Sequence, residues 1–244
     1  MGGAGVSSGR QRIDGAAAFL LHAYPYSETS LILEVFAREH GRLALLARGA
    51  RRPRSALRGV LFAFQPLELG WFGSGEVKTL AKAEWVGGMG LLKGPGLMLG
   101  YYLNELLLKL LPREDAHAVL FDAYAAALAA LARGATEAAE LRRFEKVFLK
   151  ELGYGLVLDR DAQGRPVETE ARYRYQLERG PVPEDETVAG QPVSGRTLLA
   201  LAADDYADPR SLAESKQLMR HLLAHQLAGQ TLQTRRVFVE LQDM

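Results

Sequence analysis

Five arginines lie within the run Arg48-Gly49-Ala50-Arg51-Arg52-Pro53-Arg54-Ser55-Ala56-Leu57-Arg58, and no acidic side chain interrupts them. Guanidinium groups this close repel one another unless an anion sits among them. Phosphate suits them, because each planar fork can give two parallel hydrogen bonds to phosphate oxygens. The plainer alternative is a solvated basic loop. Lys78 and Lys82 fall on one face of the strand expected near them and could lengthen the cationic stripe. Arg48, Arg51, Arg52, Arg54, Arg58, Lys78 and Lys82 are thus the expected nucleic-acid contacts. Single strands are also held by aromatic side chains on which bases stack. Tyr24, Tyr26, Phe62, Phe64, Trp71 and Phe72 are candidates for that role, unless they simply fill a core.

A second constellation is Arg142 and Arg143 beside the apolar pair Phe144 and Phe148. Cations bordering an apolar groove would suit a peptide carrying both acidic and aromatic residues. The alternative is ordinary helix packing with a solvated flank.

Other chemistry finds little support. The chain has no cysteine, which excludes disulfides, thiolate metal sites and thiol catalysis. No Gly-x-x-x-x-Gly-Lys-Ser/Thr loop occurs, and Gly73-Ser74-Gly75 reads as a turn. Asp159-Arg160-Asp161-Ala162-Gln163-Gly164 with Glu170 spaces like a calcium loop, but Gln163 and Pro166 fit it poorly. A polar turn is expected there instead. His221 and His225 share a helix face, without an evident third ligand for a metal. The scattered carboxylates suggest no acid–base pair. No catalytic residue, metal or cofactor is expected.

The elements that must position these residues follow from periodicity. Of 244 residues, 48% are hydrophobic, the composition of an ordinary globular protein. Net charge is only +1, yet the first 90 residues carry 11 basic and 7 acidic side chains and the rest 19 and 22. That asymmetry points to a polyanion site in the first part. Residues 1–11 read as a flexible tail without a signal sequence, and no stretch is long and apolar enough to span a membrane. A cytoplasmic location is expected. From Arg12 to about Val86 the period is two, in strands near Ala16–His22, Leu31–Phe36, Arg42–Ala47, Leu61–Leu69 and Val77–Glu84. Five short strands suit an OB-type β-barrel spanning 12–88. Glycines at 87, 88, 90, 94 and 96 then break the chain, and a mostly helical domain is expected over 94–244. Its helices are Leu97–Leu111, Asp115–Arg133 with Asp115 as N-cap, Glu137–Leu152, a short one from Ser194, and Asp208-Pro209 to Gly229. A β-hairpin about Gly164-Arg165-Pro166, at 155–180, interrupts them, with Tyr173 and Tyr175 packing it down. The fold class is α+β.

Several runs are similar to the RecO family. They include Tyr26-Ser27-Glu28-Thr29-Ser30-Leu31, Gly41-Arg42-Leu43, Ala47-Arg48-Gly49-Ala50-Arg51 and Gly75-Glu76-Val77-Lys78-Thr79-Leu80. Further on come Tyr102-Leu103-Asn104-Glu105-Leu106, Leu141-Arg142-Arg143-Phe144-Glu145 and Leu152-Gly153-Tyr154-Gly155. The matches keep their order from about residue 12 to 240. The resemblance implies a mediator of DNA repair and recombination that binds single- and double-stranded DNA and anneals complementary strands. It implies action with RecR and single-strand-binding protein to load RecA, without a nucleotide cofactor, at the nucleoid. It also implies that the acidic, Phe-ending tail of single-strand-binding protein docks on the helical domain. Many relatives carry a four-cysteine zinc module where this chain has its hairpin, so zinc is not expected. Two rival readings are a protein–protein adaptor with only weak nucleic-acid binding and a hydrolase or nuclease.

Overall fold

The computed structural model describes residues 12–134, 137–185, 189–234 and 236–237; the tail expected over residues 1–11 lies outside the described residues. The chain divides into two compact units, residues 1–91 with 106–121, and residues 92–105 with 122–244.

In the first unit, five strands follow from the alternation: β1 (Arg12–Tyr26), β2 (Ser30–Ala37), β3 (Gly41–Ala47), β4 (Pro66–Phe72) and β5 (Val77–Trp85). They close in the order β1-β2-β3-β5-β4 into a barrel, antiparallel except where β3 runs parallel to β5. Alternate residues Leu33, Val35, Leu43, Leu45, Leu67 and Leu69 turn inward and are fully buried. β2 also buries Glu34 and Phe36 on its outer face. The reason lies in residues 106–121, which belong to this unit. Phe121 packs its ring 5.3 Å from Phe19 and 5.4 Å from Phe36, centroid to centroid. Such pairs add about 0.5–1.5 kcal/mol each beyond the area they bury. Arg42 and Arg113 both pair with the carboxylate of Glu34, which burial would otherwise strand.

From Glu114 to His117 the chain is a strap without helix or strand. Glu114 N–H bonds Arg42 O at 2.8 Å, and Gly41, at φ +66°, lies so close that a Cβ there would sit 2.0 Å from Asp115 O. Only glycine tolerates both the backbone angle and the contact. This close approach explains two departures from expectation. The helix expected from Asp115 starts three residues later, because Asp115 is held against β3. The unit containing the barrel also draws in residues well beyond position 88. The fourth strand begins at Pro66 rather than Leu61, since residues 61–65 loop and Phe64 has φ +63°.

In sequence the helices are α1 (Gly94–Leu110), α2 (Ala118–Ala132), α3 (Glu137–Glu151), α4 (Gly195–Ala203) and α5 (Pro209–Gln226). The last two helices start where expected, with Ser194 accepting from Thr197 N–H and Asp208 accepting from Arg210 and Ser211 N–H with Pro209 following, although α5 ends at Gln226 and not Gly229. A small antiparallel sheet, β7-β6-β8, is made of β6 (Arg172–Gln176), β7 (Gly180–Pro183) and β8 (Gln191–Ser194). Its hairpin turns at 177–179, not about Gly164. The segment about Gly164 makes only a single antiparallel bridge, Arg160 with Pro166, because Asp161 folds it into a tight turn, accepting from Gln163 N–H at 2.8 Å and from Arg165 N–H at 2.9 Å. Tyr173 and Tyr175 share one face of β6 and are buried. Glu214 of α5 ties the sheet to α4, accepting from Ser194 N–H at 2.9 Å, Ser194 Oγ at 2.6 Å and Thr197 Oγ1 at 2.6 Å. Among the described residues no helix is long and apolar enough to cross a membrane.

Candidate nucleic-acid interface

The arginine loop leaves the barrel at the end of β3, and its backbone bonds are satisfied within itself and against the β1–β2 turn. Arg51 N–H bonds Thr29 O at 2.9 Å, Arg52 N–H bonds Gly49 O at 3.1 Å, and Ser55 N–H bonds Arg52 O at 3.0 Å. A single 3-10 turn, Ala56–Gly59, closes the loop. Ala50 is a buried plug in the barrel core and Leu57 packs against the same core. The small and apolar positions therefore pin the loop, while Arg48, Arg51, Arg52, Arg54 and Arg58 are all exposed. Arg51 bonds the carbonyl of Ser27 at 3.0 Å. Among the described residues no carboxylate pairs with any of the five. The loop is a preformed set of forks rather than a floppy basic segment, which lowers the cost of ordering it on an anion.

The two lysines do not extend this stripe. β4 and β5 shift register opposite Gly70–Trp71, so Ala81 is an extra residue and the faces swap. Leu80 and Ala83 both reach the core as a result. Lys78 lies on the Leu80 side and pairs with Glu114 at 2.5 Å, whereas Lys82 points outward and pairs with Glu84 at 2.9 Å. Each lysine is neutralised by its own acid. The aromatic candidates also divide. Tyr24, Tyr26 and Phe62 are exposed, Phe72 is half-buried, and Phe64 and Trp71 are core residues. Tyr26 ends β1 one residue before Ser27, so the exposed tyrosines adjoin the loop through its Arg51 contact.

In the second unit, the groove expected beside Phe144 and Phe148 is absent. Those rings stack on each other at 5.7 Å and are 1% and 0% exposed, so they are core and no peptide reaches them. Arg143 is committed too. It pairs with Glu140 at 2.5 Å, lies 5.1 Å over the Tyr206 ring and reaches the Asp204 carbonyl at the end of α4. Arg142 is 6% exposed and pairs with the buried Glu145 at 2.9 Å, and Tyr102 O–H donates to the same carboxylate at 2.6 Å. Burial pushes the Glu145 carboxyl upward, with Arg142 and Tyr102 opposing the rise.

Arg142 nevertheless lines a real cavity. About 990 Å³ opens between α1, α3, α5, residues 229–233 and Arg236, with Leu99, Leu141, Lys216, Arg220 and Leu223 on its wall. Apolar side chains and cations alternate there, as a small acidic–aromatic ligand would require. The sequence signal was the α5 stripe Lys216, Arg220, Leu223 and Leu227, spaced as one helix face.

Asp161, the central residue of the calcium-like run, spends its oxygens on Gln163 and on the Arg165 backbone and guanidinium. His221 and His225 are both exposed on α5, and among the described residues no three potential metal ligands cluster.

Two family models match the chain: recombination protein O N terminal over residues 15–89, and recombination protein O C terminal over residues 94–236. Among curated proteins, the DNA repair protein RecO of Dechloromonas aromatica (strain RCB) is 56% identical over 239 residues, covering 96% of this chain and 99% of the relative. The protein of the same name from Aromatoleum aromaticum is 56% identical over 241 residues, covering 97% and 100%. That of Ralstonia nicotianae is 50% identical over 236 residues, covering 96% and 86%.

Proposed function

We propose, from the premise that this chain belongs to the recombination protein O family, that it is a DNA-binding mediator of repair and recombination with no catalytic step. It binds single- and double-stranded DNA, anneals complementary strands, and with RecR helps load RecA onto DNA coated by single-strand-binding protein in the cytoplasm. The observation that supports this most is the arginine loop: five exposed guanidinium groups without a carboxylate, pinned at one end of a barrel beside Tyr24, Tyr26 and Phe62. Phosphate contacts of this kind carry affinity without sequence preference.

The test is salt dependence. Replacing Arg51, Arg52 and Arg54 together by alanine should weaken binding to every sequence alike. Each lost contact on a single strand removes about 0.7 from the slope of log affinity against log salt. The triple variant should therefore lose about 2 in slope by anisotropy titration, and an unchanged slope would refute the loop as the phosphate site.

We further propose that the acidic, Phe-ending tail of single-strand-binding protein enters the cavity beside α5, with Arg220 and Lys216 facing its carboxylates. Arg220→Glu should then cost about tenfold or more in calorimetric affinity for that tail peptide, on the scale of one charged hydrogen bond. Equal affinity of variant and wild type would place the peptide elsewhere.

A further inference from the structure

We infer that Trp85 is a base-stacking platform for an unpaired nucleobase, set at the same barrel end as the arginine loop. The inference rests on the DNA-binding reading above and adds to it where the bases go. The strand directions fix the placement. β3 and β5 run parallel, so the end of β3, where the loop starts, and the end of β5, which is Trp85, point the same way. β4 is antiparallel to β5, so its beginning, Pro66, lies at that end also, and the connection from Arg48 to Gln65 runs over it. The last residues of β1, Tyr24 and Tyr26, pair with Ile32 and Ser30 at the start of β2, whose Leu31 pairs with Ala47 at the end of β3, so they lie at that end as well.

The indole itself is unusual. Trp85 pairs across the strands with Leu67, which is inward-facing and buried, so it has the parity of a core residue. Yet it is 57% exposed, because the barrel ends there and leaves the ring over the mouth. It is also held. Its Nε1–H donates to Gln65 Oε1 at 3.2 Å, and Gln65 is buried, with its own Nε2 lacking a partner. A large flat apolar ring kept in one orientation in water gains nothing for the fold by being exposed. At the barrel end that carries the arginine loop, it meets the requirement of a stacking surface, which serves any base because every base has a π-face. The exposed Phe62, on the connection that crosses this end, offers a second ring.

The chain has only two tryptophans, and the other, Trp71, is 2% exposed in the barrel core. Intrinsic fluorescence of the full-length protein therefore separates a binding signal from a folding signal. Titration with a thymidine oligomer should quench emission to saturation. An abasic oligomer of the same length should bind through the arginines without quenching. Trp85→Ala should weaken binding of the thymidine oligomer by about fivefold to a hundredfold and leave the abasic oligomer unaffected. Trp85→Phe should restore most of the affinity, and the remaining blue emission of Trp71 should show both variants folded. If the thymidine oligomer binds wild type and Trp85→Ala equally and emission never changes, the stacking assignment is wrong while the arginine site stands. If neither oligomer binds the wild type, the DNA-binding reading itself falls.

Discussion

The arginines of the barrel loop and those of α3 have the same chemistry and opposite employment. In the loop, backbone bonds together with Ala50 and Leu57 hold the chain, no acid takes up the guanidinium groups, and only Arg51 gives a bond back to the fold, to Ser27 O. On α3, Arg142 neutralises a buried carboxylate and Arg143 clasps Glu140, Tyr206 and the end of α4. A count of charges along the chain cannot tell these apart. What distinguishes them is whether an acid lies within reach, and that follows from where the elements pack.

The contrast breaks most clearly on stability. Arg142→Ala should cost about 3–5 kcal/mol by chemical denaturation, because it strands the Glu145 charge in the interior. The triple loop variant should barely move the denaturation midpoint, since no acid pairs with these arginines and the one bond to the fold, from Arg51 to Ser27 O, is exposed. If the two variants lost stability equally, the division of labour would be false. Replacing Arg142 by methionine and Glu145 by leucine together should recover most of the loss, which would assign it to the unpaired charge rather than to lost volume.

A gentler test uses pH. Burial pushes the Glu214 carboxyl upward, but hydrogen bonds from Ser194 and Thr197, with Arg172 nearby, outweigh it and leave the carboxyl below its ordinary value. A depressed folded-state pKa contributes stability that is present above the ordinary carboxylate range and lost as pH falls through the lowered value. Glu214→Gln should therefore be destabilised at neutral pH, and its gap to wild type should close on acidification. A gap that stays constant across that acid range would remove Glu214 as the ionised cap of α4. The smallest effect belongs to Lys82. Its exposed pair with Glu84 is screened by water, so Lys82→Ala should leave the midpoint in place and change DNA affinity by no more than about twofold.

Much of the barrel was legible because inward and outward residues alternate on Leu31–Phe36 and Arg42–Ala47, and helix caps at Ser194 and Asp208 are local signals. What stayed hidden depends on distant partners. Nothing near Asp115 reveals that Gly41 holds it against β3 and delays α2. The bulge at Ala81 reverses the faces of β5, so Lys78 and Lys82 part company although their spacing puts them on one side. Phe144 and Phe148 read equally well as groove or core until the rest of the unit covers them. Trp85 has the parity of a buried residue, and only the end of the barrel exposes it.

The segment from Arg113 to Phe121 also sets a timetable for the nascent chain. All five barrel strands are made once Trp85 is polymerised, but Glu34 then has only one of its two arginines, and Phe19 and Phe36 lack their third ring. At about 5–20 residues per second, the stretch from Trp85 to Phe121 takes on the order of 2 to 7 seconds to synthesise. Until it leaves the ribosome, the outer face of β2 is an unfinished apolar surface. A chain stopped at the glycines after β5 would carry that surface permanently, so an isolated barrel fragment should need residues 106–121 supplied, in cis or as a peptide, before it becomes fully folded.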